Sequence, residues 1–109
     1  MNNILKDFII VIDMAGNNLK INAINKRHIS EMSSLGFVSS GDYMEMQVAN
    51  EDEKIDIIKK LIDKKALFMY GHGWYPSELI EYLKDKGVQF KKYSVIYWRG
   101  KDDYSIEER

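Results

Sequence analysis

Residues 66–98 read ALFMYGHGWYPSELIEYLKDKGVQFKKYSVIYW, and this stretch decides the fold class. Ala66–Tyr70 is a short apolar segment typical of a buried strand. Pro76 suits the first turn of a helix, and Gly87 is placed to end it. Phe90–Trp98 is aromatic and strand-like. Strand, helix and strand in this order predict a β-α-β unit, and therefore an α/β or α+β fold.

The same alternation extends toward the N-terminus. Residues 43–49 alternate apolar and polar side chains, as a half-buried strand does. Asn50 and Glu53 have the spacing of a helix N-cap and its third residue, which predicts a helix start. Together with residues 66–98, these elements predict β-α-β-α-β with parallel crossovers.

The N-terminal part adds a hairpin and a further helix. Residues 8–13 are continuously apolar, residues 15–18 (AGNN) have turn chemistry, and residues 19–24 alternate. A helix is expected to follow, capped by Asn25 and ended by Gly36, with 39–41 as loop.

The expected fold is a single domain, 1–109, with three helices. Its mixed five-stranded sheet consists of the N-terminal hairpin plus β-α-β-α-β. The charged residues 101–109 are expected to be a loose tail. Strand 43–49 or the hairpin is expected to form a sheet edge able to pair with a partner or with a second copy.

Composition excludes several classes of function. The chain has 109 residues, which is long enough to bury a hydrophobic core without stabilisation by disulfides or metal ions. The absence of cysteine removes disulfides, zinc-thiolate sites and thiol chemistry. The net charge of −1 gives no general attraction to nucleic acid or anionic membrane. The apolar run in 8–12 is too short for a signal peptide or a membrane span, so a cytoplasmic location is expected.

The turn Gly71-His72-Gly73 is the best candidate for a ligand site or an active site. It follows one strand and precedes a helix, where open sheets bind ligands. Histidine is the side chain whose ordinary pKa lies near neutrality, so His72 would serve as base or acid. No second group in the sequence is placed to act with it: Ser77 resembles a first-turn helix residue, and His28 is expected at the surface. No cofactor and no metal site are predicted.

The segment from Ala66 to Tyr93 resembles the first strand, turn and helix of glutaredoxin-type thioredoxin folds. In that family a CPYC turn precedes the helix, which ends in a KGV-type turn. Here the turn is Trp74-Tyr75-Pro76-Ser77, and the spacing to Gly87 is one residue shorter. Both redox cysteines are missing, so the family's activity does not carry over.

Aromatic residues are concentrated in the C-terminal half, with ten of 13 in residues 68–104. Tyrosine, tryptophan and arginine are enriched at the energetic centres of protein interfaces. About half of these aromatics are expected in the core. The predicted interface residues are Tyr70, His72, Trp74, Tyr75, Tyr97, Trp98 and Arg99.

Charge is also segregated, and this keeps a nucleic-acid alternative open. Residues 1–54 carry a net charge of −3 and residues 55–100 a net charge of +4. A basic patch beside aromatic side chains would suit RNA or single-stranded DNA. The lysines that would form it are Lys59, Lys60, Lys64, Lys65, Lys91 and Lys92.

In its size, and in an amino-acid composition typical of an AT-rich gene, the chain resembles small bacterial immunity and antitoxin-type proteins. Examples are the proteins that protect against contact-dependent growth inhibition toxins. Residues with A/T-rich codons (Ile, Lys, Asn, Tyr, Met, Phe) number 51, against 15 for Gly, Ala, Arg and Pro. The resemblance implies a small protein-binding module that binds and neutralises a toxin domain encoded by a neighbouring gene. The alternatives are a small enzyme or ligand-binding protein with its site at 71–73, and a nucleic-acid binder.

Overall fold

The computed structural model describes residues 7–70, 75–99 and 103–109, which form seven strands and three helices. The strands are β1 (Ile10–Asp13), β2 (Asn18–Asn22), β3 (Val38–Ser40), β4 (Tyr43–Gln47), β5 (Leu67–Met69), β6 (Ser94–Trp98) and β7 (Tyr104–Glu108). The helices are α1 (Lys26–Leu35), α2 (Glu51–Asp63) and α3 (Pro76–Asp85). All seven strands belong to one sheet, in the order β3-β4-β2-β1-β5-β6-β7.

The sheet is mixed, as expected for this α+β chain with three helices. β5 pairs parallel with β1 and with β6, whereas the other adjacent pairs are antiparallel. Following these pairings, β4, β5 and β6 point the same way, as the predicted β-α-β-α-β requires. Neither β4 nor the β1–β2 hairpin is a sheet edge, because β3 and β7 lie outside them.

The expectation of five strands was wrong, because two short hairpins were missed. Ser39 and Ser40 belong to β3, which turns into β4 through Gly41 and Asp42. Gly41 has φ +67°, the conformation that a two-residue type II′ turn needs at its first position. The charged segment after residue 102 is not a loose tail, because β7 pairs along the whole length of β6.

The helix boundaries follow local capping chemistry. The side chain of Asn25 accepts a hydrogen bond from the backbone N of Arg27 at 2.9 Å. Asn50 accepts one from the N of Glu53, also at 2.9 Å. Gly36 ends α1 at φ +116°, in the left-handed region that favours glycine. Within the part of the chain that the structure describes, no helix is both long and apolar enough to cross a membrane.

The two faces of the sheet differ. On one face, buried residues of all three helices pack with the sheet into the main core, which includes Met32, Leu61 and Leu83. On the other face, Leu67, Met69 and Ile96 form a smaller cluster that contains no helical residue. Phe8, Ile10, Ile12 and Tyr104 are half-buried around that second cluster.

His28 does not lie at the surface as expected, since only 7 % of it is exposed. Its Nε2 lies 2.9 Å from the backbone oxygen of Asp7, and its Nδ1 lies 3.4 Å from a carboxylate oxygen of Glu31. The residue therefore fastens α1 to the segment that leads into β1. This contact could not be predicted from local pattern because Asp7 is 21 positions away.

Candidate functional site

The carboxyl ends of β1, β5 and β6 lie at one edge of the sheet because these strands are parallel. Tyr70 directly follows β5, Tyr97 lies near the end of β6, and Tyr75 is the N-cap of α3. The predicted site at Gly71-His72-Gly73, together with Trp74, lies outside the described residues. Three of the seven predicted interface residues, Tyr70, Tyr75 and Tyr97, contact one another at this edge. Trp98 and Arg99 lie at the end of β6 and directly after it.

We call Tyr70, Tyr75 and Tyr97 the tyrosine cluster. The rings of Tyr70 and Tyr97 are stacked, with centroids 4.5 Å apart and planes 20° from parallel. Tyr75 leans against Tyr70 at 6.1 Å and is 59 % exposed. The Tyr70 hydroxyl is also hydrogen-bonded to Ser77 Oγ, in the first turn of α3. Tyr70 and Tyr97 are thus held in place by their contacts, whereas the ring of Tyr75 is exposed to solvent.

Arg109 completes the cluster, and the sequence analysis missed it. Its guanidinium carbon lies 5.9 Å from the ring centroids of both Tyr70 and Tyr97, within cation–π range. Its Nη2 donates to the Tyr97 hydroxyl. Two backbone hydrogen bonds with Tyr93, of 2.9 and 2.7 Å, hold it beside β6. The alternation of Tyr104 and Ile106 with polar residues was the signal that could have revealed the strand carrying it.

Two tyrosines of the site, Tyr93 and Tyr97, have raised pKa values. Burial is the largest cause of the raised pKa of Tyr97, followed by its hydrogen bond and charge interaction with Tyr70. Burial also leads for the pKa of Tyr93, with Tyr70 adding to it. Arg109 lowers both pKa values, but by less. The hydroxyls of Tyr93 and Tyr97 are therefore neutral hydrogen-bonding groups at physiological pH.

We expect Tyr93 and Tyr97 to ionise above the ordinary value of 10.0 in the native protein. Because folding raises these pKa values, the stability they contribute is complete below pH 10 and is lost as pH rises through the native values. In the native protein, tyrosinate absorbance followed against pH should include an ionisation step above the ordinary pKa of tyrosine. In denaturant, all tyrosines should ionise at the ordinary value. Tyr97→Phe should remove part of that step. Coincident native and denatured curves would contradict the expectation.

A surface cavity of about 410 Å³ adjoins Arg109. It is lined by Ser77, Glu78, Glu81, Lys84, Tyr93 and Arg109. Its charges are of both signs, which suits polar and charged groups of a partner better than a purely apolar ligand. The hydroxyl of Ser77 is bonded to a phenol and not to a base. Among the described residues, no group of three His, Asp or Glu side chains could hold a metal ion.

Trp98 is not brought to the tyrosine cluster. Alternation along β6 puts it on the face of the second apolar cluster, where its Nε1 lies 2.9 Å from Met69 Sδ and its ring lies 5.1 Å from that of Tyr104. Arg99 is on the same side as Tyr97, since it donates to Ser105, the register partner of Tyr97. The predicted interface residues of β6 are thus divided between two faces.

The lysines of the predicted basic patch are partly neutralised. Lys60 is paired with Asp56 at 2.9 Å, and Lys91 with Asp63 at 3.2 Å. Lys64 is paired with Glu31 at 2.5 Å. Carboxylates beside three of the six lysines weaken the attraction that a nucleic-acid backbone would feel.

Lys54 is a second feature that sequence reasoning missed. It is only 7 % exposed, and its Nζ donates to the backbone oxygen of Gly16 at 2.9 Å. Burial lowers its pKa, while the carboxylates of Asp13 and Glu51 act against that shift. Lys54 and Glu51 also line a surface cavity of about 430 Å³ at the same edge of the sheet. The ammonium therefore joins α2 to the turn between β1 and β2.

Comparison of the chain with protein-family models, with curated protein sequences and with solved structures finds no match.

Proposed function

We propose that the chain is a small protein-binding module that binds a partner protein and neutralises it, in the manner of an immunity protein acting on a bacterial toxin in the cytoplasm. The observation that carries the proposal is the tyrosine cluster with Arg109. Tyrosine and arginine are the residue types that dominate binding energy at protein interfaces. The cluster is assembled from four elements, since Tyr70 follows β5, Tyr97 lies in β6, Tyr75 caps α3 and Arg109 follows β7.

The geometry of the cluster supports binding without a large entropic cost. Tyr70 and Tyr97 are held by stacking, and Arg109 by the strand pairing of its backbone. Side chains that are already ordered lose little freedom when a partner docks. Tyr75 offers its exposed ring as the anchor, since a tyrosine presents a large apolar body with a polar tip.

The surroundings favour a partner with a polar, charged rim. Glu78 and Glu81 accompany Lys84 and Arg109 around the adjoining cavity. Charges of both signs give orientation and selectivity to an interface more than affinity. A toxin domain docked here would have its active site or its target-binding surface occluded by α3 and the β6–β7 hairpin.

We expect Tyr75→Ala to weaken binding of the partner by about 2 kcal/mol, or roughly thirtyfold, as loss of a central aromatic anchor does. The partner to test is the product of the adjacent reading frame, co-expressed with this chain and measured by titration calorimetry. Tyr82→Ala is the matched control because Tyr82 is also on α3 and is 51 % exposed, but contacts Lys86 instead of the cluster. Its affinity should change little.

Two results would contradict the proposal in different ways. Absence of any complex with the neighbouring product would remove the proposed function. A complex weakened by Trp98→Ala but untouched by Tyr75→Ala would instead place the interface on the opposite face of the sheet. Thermal unfolding of each variant separates lost contacts from lost fold, since Trp98 is packed against Met69.

A further inference from the structure

β7 is an edge strand whose outer side faces no other strand of the sheet. Its neighbour β6 exchanges both backbone hydrogen bonds between Tyr93 and Arg109, and Arg99 donates to Asp103 at 2.8 Å. In an antiparallel pair such bonded positions alternate with positions that face away. The backbone groups of Tyr104, Ile106 and Glu108 therefore point outward, and no described residue bonds them.

The other edge is less suited to pairing. β3 spans only Val38–Ser40, whereas β7 spans Tyr104–Glu108. A longer edge offers more outward amides and carbonyls to a new strand. The sequence of β7 itself indicates which strand would pair with it.

We infer that β7 pairs antiparallel with β7 of a second copy of this chain, about a two-fold axis at Ile106. In this register Ile106 faces Ile106 of the second copy, and Tyr104 faces Glu108. These are the positions whose backbone groups point outward, so each pair exchanges both of its hydrogen bonds. The two sheets then join into one continuous sheet.

Charge selects this register over its neighbours. With the axis at Ile106, Asp103 faces Arg109 of the second copy, and Glu107 faces Ser105. Moving the axis to Ser105 sets Asp103 against Glu107. Moving the axis to Glu107 sets Glu107 directly opposite Glu107 of the second copy. Like charges directly opposite each other on neighbouring strands are destabilising, so the register at Ile106 is favoured.

The apolar side chains support the same pairing. Ile106 is 40 % exposed and lies opposite Ile96, on the face of the second apolar cluster. Trp98, 39 % exposed, packs against Tyr104 on that face. Joining two copies at Ile106 makes the apolar surface continuous across the axis and covers the exposed isoleucine. This apolar surface lies on the face of the sheet opposite Tyr70 and Tyr97, and Arg109 is the residue that the dimer and the tyrosine cluster share.

The chain has no cysteine, so single cysteines introduced in β7 report the register directly. At an axis through Ile106, paired Cα atoms are about 5.5 Å apart, within the disulfide range of roughly 4.4–6.8 Å. Cysteines at Ser105 or Glu107 would be about 8 Å from their equivalents, which is too far. Under mild oxidation of the full chain, Ile106→Cys should cross-link at least about ten times faster than Ser105→Cys or Glu107→Cys.

Sedimentation of the unmodified chain over a concentration series is the second measurement, and a mass of twice 12.8 kDa is expected at high concentration. Asp103→Arg and Arg109→Asp should each weaken the dimer, whereas mixing the two variants should restore it as a heterodimer. A monomer at every concentration would overturn the inference. Equal cross-linking at the three positions, or faster cross-linking at Ser105 or Glu107, would overturn it as well.

Discussion

Phe68→Ala is expected to lower the free energy of unfolding by about 3–5 kcal/mol, the usual result of removing a buried phenylalanine. Phe68 is 1 % exposed in β5, the strand between β1 and β6. Its register partners are Val11 and Val95, both fully buried. Its ring meets Tyr93 edge-on, at 5.8 Å and 83°. Neighbours fixed in a central sheet cannot collapse into the space, so a cavity would remain.

Urea denaturation measures this loss, and Phe90→Ala is the matched control. Phe90 is only half-buried and lines a surface cavity with Ile62, so its removal opens space that water already reaches. We expect it to cost about 1 kcal/mol, the transfer free energy of the surface it buries. Equal losses for the two variants would mean that the main core is not centred on β5. Because Tyr93 holds the backbone of Arg109, the Phe68 variant should also disturb the tyrosine cluster.

Much of the architecture was accessible from local patterns. Apolar spacing located α2 and α3, and the capping residues Asn25, Asn50 and Pro76 located the helix starts. Continuous or alternating apolar segments located five of the seven strands. These signals are readable because each depends on neighbours within one or two turns of chain.

The two missed strands depend on partners instead of on local pattern. β3 has three residues, two of them serine, and it is defined by its pairing with β4. β7 is rich in charge, and its alternation of Tyr104 and Ile106 becomes informative only beside Ile96 and Trp98. Strand pairing and register are non-local properties, so the order of the seven strands could not be predicted from local sequence patterns.

The site was predicted in part for the same reason. Tyr70, Tyr75 and Tyr97 were singled out by residue type, but their meeting follows from parallel pairing of β5 with β6. Arg109 was lost together with β7. Lys54 did have a local signal, because its spacing to Ile57, Ile58 and Leu61 places it on the buried face of α2. A charged side chain is usually solvent-exposed, so this spacing was not taken as a sign of burial. The carbonyl of Gly16, which accepts the hydrogen bond from Lys54, is 38 positions away.

Lys54→Glu is expected to destabilise the fold by about 3–5 kcal/mol, as breaking a buried charge interaction does. The ammonium interacts electrostatically with the carboxylates of Asp13 and Glu51 and donates to the carbonyl of Gly16. A carboxylate at this position would face two other carboxylates and a carbonyl oxygen, with no hydrogen bond to donate. Lys54→Met keeps the apolar stem and removes the charge, so it should lose only the hydrogen bond, about 1–2 kcal/mol.

Urea denaturation at neutral and mildly acidic pH distinguishes charge from packing as the cause. A buried carboxyl among carboxylates has a raised pKa, so lowering the pH neutralises it in the folded state and should narrow the gap between Lys54→Glu and the unmodified chain. The gap for Lys54→Met should stay constant, because methionine does not titrate. Lys59→Glu, on the exposed side of α2, should change stability by no more than about 0.5 kcal/mol at either pH. A Lys54→Glu variant as stable as Lys59→Glu would mean that Lys54 is solvated, and that the turn between β1 and β2 is held without it.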